Sequence, residues 1–145
     1  MIYKLFLDSD VVIDFFTDRA PFSSSASELF ELNEQGVVTL FLSAVSINNI
    51  YYIVRKFLGH KKAIEVITLL TEITEVIGTT KKEIVQALKN EFDDFEDSIQ
   101  FSSALTIENV DAIITRNIKD YRNSTVVVMT PLEFLKMIDE NSNKL

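Results

Sequence analysis

Short β-branched and apolar runs alternate along this chain with longer amphipathic stretches, and that alternation leaves few folds open. Ile2–Leu7, Val37–Leu42, Asp111–Thr115 and Thr125–Met129 have the make-up of buried strands, and Glu75-Val76-Ile77 that of a shorter one. The stretches between them read as helices. A short one lies near Asp10–Phe16, and a second starts at Pro21, carries Ala26, Leu29, Phe30 and Leu32 at helical spacing and ends at Gly36. Ser43 caps Ala44–Leu58, whose stripe is Ile47, Ile50, Tyr51 and Val54, and Gly59 stops it. Lys61–Glu72 should bury Ile64, Ile67, Thr68 and Leu70, and Thr80–Lys89 should bury Ile84, Val85 and Leu88. Asp94-Phe95-Glu96-Asp97 has the pattern of a capping box opening a helix to about Asn109, with small residues Ser102, Ser103 and Ala104 for close packing. Thr130-Pro131 starts a last helix.

Strands alternating with helices predict an α/β fold of three α/β/α layers, with a mostly parallel sheet flanked by helices and right-handed crossovers. In a parallel sheet, the residues just past each strand gather at one edge, where ligands bind. Acidic or amide clusters recur at such places. Asp8 opens Asp8-Ser9-Asp10-Val11-Val12-Ile13-Asp14, Asn49 lies beyond the second strand, Asp97 lies in the acidic helix start, and Asn117 and Asp120 come after the strand ending at Thr115. Carboxylates gathered from distant segments suit a hard divalent cation.

Composition narrows the choice. The 145 residues fit a single domain spanning 1–145, and 47% hydrophobic residues with 11 Phe suffice for a core. Three Gly and two Pro leave no room for long linkers. No cysteine and one histidine rule out thiolate and multi-histidine metal sites. No Gly-rich phosphate loop occurs, and no run approaches the ~18 apolar residues of a membrane helix, so a soluble, cytoplasmic protein without membrane contact is expected. The net charge of −8 speaks against nucleic-acid binding on its own, but a cation held by the acids would cancel local charge and recruit phosphate.

These residues, in this order, resemble the PIN domain, a family of metal-dependent ribonucleases. Asp8-Ser9-Asp10-Val11 is similar to the first acidic pattern of that family, with Asp14 at a further acid; Asp97 stands ahead of Ile99–Ala104 as the third acid does. Thr115-Arg116-Asn117-Ile118-Lys119-Asp120-Tyr121 matches the closing Thr-x-Asn-x-x-Asp-Phe pattern. The chain departs at the second site, where Asn49 holds the position of the usual Glu; a carboxamide oxygen can ligate or hold a metal-bound water but brings no charge.

The resemblance implies hydrolysis of RNA phosphodiesters with Mg²⁺ or Mn²⁺. Asp8, Asp97 and Asp120 would be catalytic, and together with Asn117 would hold metal. Asn49, Ser9, Asp10 and Thr115 would support them, and Arg116 would contact the RNA backbone. It also implies a VapC-like toxin of a bacterial toxin–antitoxin pair, with an antitoxin partner and a homodimeric state. Two other readings compete. Asp8-Ser9-Asp10-Val11-Val12 also resembles the signature of haloacid-dehalogenase-type phosphatases, with Asp8 as nucleophile and Asp10 as acid/base. Asn49 is the best argument for a catalytically degenerate interaction protein.

Overall fold

The structure, a computed structural model, describes residues 1–144. Five strands form one parallel sheet: β1 (Tyr3–Leu7), β2 (Val38–Ser43), β3 (Glu75–Ile77), β4 (Ala112–Ile114) and β5 (Val128–Met129), in the order β3-β2-β1-β4-β5. The helices are α1 (Ser9–Phe16), α2 (Ser23–Glu34), α3 (Ala44–Leu58), α4 (His60–Ile73), α5 (Lys81–Lys89), α6 (Phe95–Ala104) and α7 (Pro131–Asn143). They cover both sheet faces, as the alternation predicts.

The pleat of β1 divides the core. Leu5 and Leu7 pack with Leu40, Leu42 and the helices of one face, whereas Phe6 and Ile113 pack with Phe101, Ala104 and Tyr121 on the other. β1 is buried on both faces because it lies at the sheet centre, between β2 and β4. Chain order reverses there, and the β1–β4 junction is the switch point at which α/β folds open a crevice. Leu7 pairs with Ile114, so the next residues, Asp8 and Thr115, emerge side by side at the carboxyl edge.

Several elements differ from their sequence-based expectation. The second helix begins at Ser23, beyond Pro21, and the sixth ends at Ala104, well before Asn109. Asn109 has a φ of 57°, a left-handed conformation that no α-helix continues through. α5 turns Ile84, Val85 and Leu88 to solvent and buries Glu83 and Ala87. The cause is local: Glu83 closes a capping box with Thr80, and the Ala87 carbonyl accepts a 2.8 Å bond from Ser98 of α6. α4 packs through Ala63, Val66 and Leu70, leaving Ile64 and Thr68 exposed.

Candidate active site

Asp8 anchors the edge. It is 9% exposed, caps α1 by accepting from Ser9 N at 2.8 Å, and accepts from Thr115 Oγ1 at 2.9 Å. Burial pushes its carboxyl above the ordinary carboxylate range; these hydrogen bonds and the nearby Tyr121 hydroxyl pull it down, and the neighbouring Asp120 charge pushes it up.

Asp10 lies just inside α1. Its Oδ2 gathers Thr115 Oγ1 at 3.3 Å, Arg116 N at 3.2 Å and Asn117 Nδ2 at 3.2 Å, tying the loop after β4 to α1. Its Oδ1 is buried with no partner among the described residues. Burial, then the charge of Asp8, raises its carboxyl to about 7. So saturated on one oxygen, Asp10 is a brace for this loop rather than the free acid that the phosphatase reading asks for.

Asp14 is 1% exposed and ion-paired with Arg116, Nε to Oδ2 at 2.9 Å. The Arg116 guanidinium also lies 4.6 Å from the centre of the Phe22 ring. Arg116, which the resemblance implies contacts the RNA backbone, is thus ion-paired with Asp14 and keeps 24% of its side chain exposed.

From the other side of the edge comes α6. Asp94 caps it, accepting from Asp97 N at 3.1 Å, but the Asp97 carboxylate does not close the capping box. It is half-buried instead, and burial followed by the charges of Asp8, Asp94, Asp120 and Glu96 lifts it to about 7. Asp120 is exposed on a 3-10 turn, Ile118–Tyr121, beside a cavity of about 140 Å³ that Asp97, Lys119 and Arg122 also line. Asn117 is exposed at the start of that turn. Asn49, on α3, donates to Ser9 Oγ at 3.2 Å and to Glu96 Oε1 at 3.3 Å, spanning the mouth from α1 to α6.

The sequence-predicted residues thus share one neighbourhood, at the carboxyl edge of β1 and β4. Among the described residues, no three acidic or histidine side chains close into a ready-made metal cage. A magnesium-type ion does not require one, since it takes one or two carboxylates and keeps several waters. The donor set is all oxygen and amide, which suits a hard cation. Two buried orphan atoms, Asp10 Oδ1 and the Tyr121 hydroxyl, point the same way. The hydroxyl points at Asp8 and acts on it as a weak donor, short of full hydrogen-bond geometry, and the charges of Asp8, Asp97 and Asp10 bear on it.

Two participants escape a reading of the sequence. Glu96 is hidden in an acidic string that reads as a helix cap. Tyr121 stands where the resembled pattern has Phe, so its hydroxyl is the one available signal.

Solved structures share this architecture. A chain of the Rickettsia felis VapBC2 complex, bound to a DNA fragment from its promoter, superposes with a TM-score of 0.67 at 17% identity, covering 88% of this chain and 98% of that one. A toxin–antitoxin complex from Klebsiella pneumoniae gives 0.65 at 18% identity, covering 88% and 97%. Mycobacterium tuberculosis VapC20, a Sarcin-Ricin loop cleaving toxin, gives 0.60 at 14% identity, covering 75% and 86%. At such identities the likeness is one of fold. No curated protein matches the chain in sequence. A sequence profile of the PIN domain does match, over residues 4–119, and so takes in Asp8, Asn49, Asp97 and Asn117 and stops one residue short of Asp120. On that match over most of its length, joined to the shared fold, this chain belongs to the PIN domain family.

Proposed function

We propose that this protein is a divalent-metal-dependent endoribonuclease that hydrolyses RNA phosphodiesters with Mg²⁺ or Mn²⁺, and that it acts as the toxin of a toxin–antitoxin pair. The observation that carries the reading is that Asp97 and Asp120, from distant segments, line one cavity at the sheet edge, with Asp8 in electrostatic reach of both. When bound, the cation lowers the pKa of a water and neutralises charge on the scissile phosphate.

The chain's own residues divide the remaining work. Asp8 and Asp97 are proposed to contact the metal, with Asp120 and Asn117 reaching it directly or through water. Thr115 and Ser9 fix the two oxygens of Asp8. Asp10 holds the Asn117 loop in register. Exposed Lys119 and Arg122, beside Asp120, take the role of meeting the RNA backbone; Arg122 pairs with exposed Asp93, a contact that a phosphate can displace. Toxin–antitoxin complexes among the similar structures support an antitoxin partner. Exposed Phe57, Leu58, Ile84 and Leu88 supply apolar surface for it and for a second copy of the chain.

The test is cleavage of a labelled structured RNA in Mg²⁺ or Mn²⁺, with a chelator control. Asp8→Asn and Asp97→Asn should each lose at least about 100-fold in rate. Cleavage that survives the chelator, or wild-type rates in both variants, would end the reading.

A further inference from the structure

Glu96 is an exposed side chain on the first turn of α6, free by its length to turn into water. It leans across the site mouth instead. Its Oε1 accepts from Asn49 Nδ2 at 3.3 Å, and of the acids acting on it Asp8 is the strongest, ahead of Asp94. The Asn49 amide is the donor that holds it there. The same nitrogen donates to Ser9, the residue after Asp8, so the amide strings α1 and α6 together.

The identity of residue 49 matters for this contact. A glutamate there would set two carboxylates against each other at the distance where the amide now donates. Asparagine turns that repulsion into a hydrogen bond. Asn49 and Glu96 thus act as one unit that carries a single negative charge, and the charge sits on α6. The interior of the site points independently to a ligand: the Tyr121 hydroxyl, on a side chain 1% exposed, faces Asp8 and Asp97 with no partner among the described residues.

We propose that Glu96 is a metal-binding carboxylate of this site, held by Asn49 as its positioning residue, and that it supplies from α6 the charge that α3 lacks. This rests on the metal-dependent reading above. It also removes the main argument for a degenerate site, because the chain keeps its acid count by moving one acid.

Mn²⁺ titration of the chelator-stripped full chain tests it, with affinity followed by calorimetry or by the resonance signal of free Mn²⁺. Glu96→Gln should weaken Mn²⁺ binding about 10–100-fold. Asn49→Ala should weaken it less, and the double variant Asn49→Glu/Glu96→Gln should regain most of the affinity lost in Glu96→Gln. Because Glu96 is exposed, the single variant is expected to fold, and recovery in the double variant guards against a merely structural loss. Wild-type affinity in Glu96→Gln, with Asp97→Asn impaired, would overturn the role of Glu96 and leave the metal reading intact. A loss that the double variant does not recover would overturn the relocation of charge. Absence of Mn²⁺ binding by the wild type would remove both.

Discussion

On the α1 side of the acidic edge, three aspartates are met by donors the protein itself provides. Asp8 receives Ser9 N and Thr115 Oγ1, Asp10 receives Arg116 N and Asn117 Nδ2 on one oxygen and shares the Thr115 hydroxyl with Asp8, and Asp14 receives the Arg116 guanidinium. On the α6 side, Asp97 feels the charges of Asp8, Asp94, Asp120 and Glu96, with no hydrogen bond to its carboxylate among the described residues, and Glu96 has one weak amide donor. The first half meets its carboxylates with hydrogen-bond donors and one cation, and the other leaves its charge for something from outside. The donor-rich half behaves as scaffold and holds Asp8 still. The donor-poor half provides the attraction for a cation.

The largest effect that could break this contrast lies in the scaffold. Asp14 is 2% exposed at its side chain and Arg116 24%, so truncating the arginine strands a buried carboxylate. Arg116→Ala should cost about 3 kcal/mol in urea unfolding. Replacing both partners, as in Asp14→Leu/Arg116→Met, should restore most of that, because the penalty is the unpaired charge and not the loss of an attraction. A cost for Arg116→Ala below about 0.5 kcal/mol, the range of ordinary surface changes, would show that the scaffold half is not held in this way.

A second, pH-dependent effect draws on both halves, through Asp10 on the α1 side and Asp97 on the α6 side. Asp10 and Asp97 are each held up to about 7 in the folded protein, while both titrate near 4 when unfolded. Between those values the folded state binds protons that the unfolded state has released, so metal-free stability should fall as pH rises from about 4 to about 7 and level off above. Two carboxyls raised this far would together cost several kcal/mol, and solvent screening of half-buried Asp97 reduces the share that is felt, so a fall in Tm of at least a few degrees is expected across that range. Mg²⁺ or Mn²⁺ favours the ionised carboxylates, so the Tm gain on adding metal should be small at pH 5 and largest near pH 8. Asp97→Asn should flatten the metal-free slope. A Tm that climbs from pH 5 to 8 without metal would reverse the assignment of the donor-poor half.

The sequence makes the frame of this site readable, and the reasons are physical. Strand-following positions in a parallel sheet share an edge, so Asp8 and Thr115 can be brought together from pattern alone, and the sheet register does so. Asp97 and Asn117 lie at element starts, where local pattern is strongest, and Asn49 lies in the second turn of α3. The illegible remainder depends on tertiary partners. Arg116 and Asp14 are far apart in sequence, and nothing local says that the arginine turns inward to Asp14 and Phe22. The inward face of α5 is hidden for a similar reason. Periodicity favours Ile84, Val85 and Leu88, whereas packing on α6 through Ala87 decides the outcome. Glu96 looks like part of a helix cap because its partner, Asn49, lies on another element.

The smallest predicted effect asks to which half Tyr121 belongs. Its ring packs in the core, edge-on to Phe92 at 6.0 Å, and a phenylalanine would fill the same space. Burial, then the charges of Asp8, Asp97 and Asp10, hold its hydroxyl firmly in the protonated form, and it has no partner among the described residues. A scaffold hydroxyl would be worth about 1 kcal/mol as a made hydrogen bond, and Tyr121→Phe would lose that. An orphan hydroxyl costs a similar amount to bury, so Tyr121→Phe should leave the metal-free protein as stable or up to about 1 kcal/mol more stable. The gain from added Mn²⁺ should then shrink in the variant, because the hydroxyl that a metal-bound water would satisfy is gone. Thermal melts of wild type and Tyr121→Phe, with and without Mn²⁺, separate the cases. A metal-free loss with an unchanged metal response would move Tyr121 into the scaffold and shrink the donor-poor half to its carboxylates.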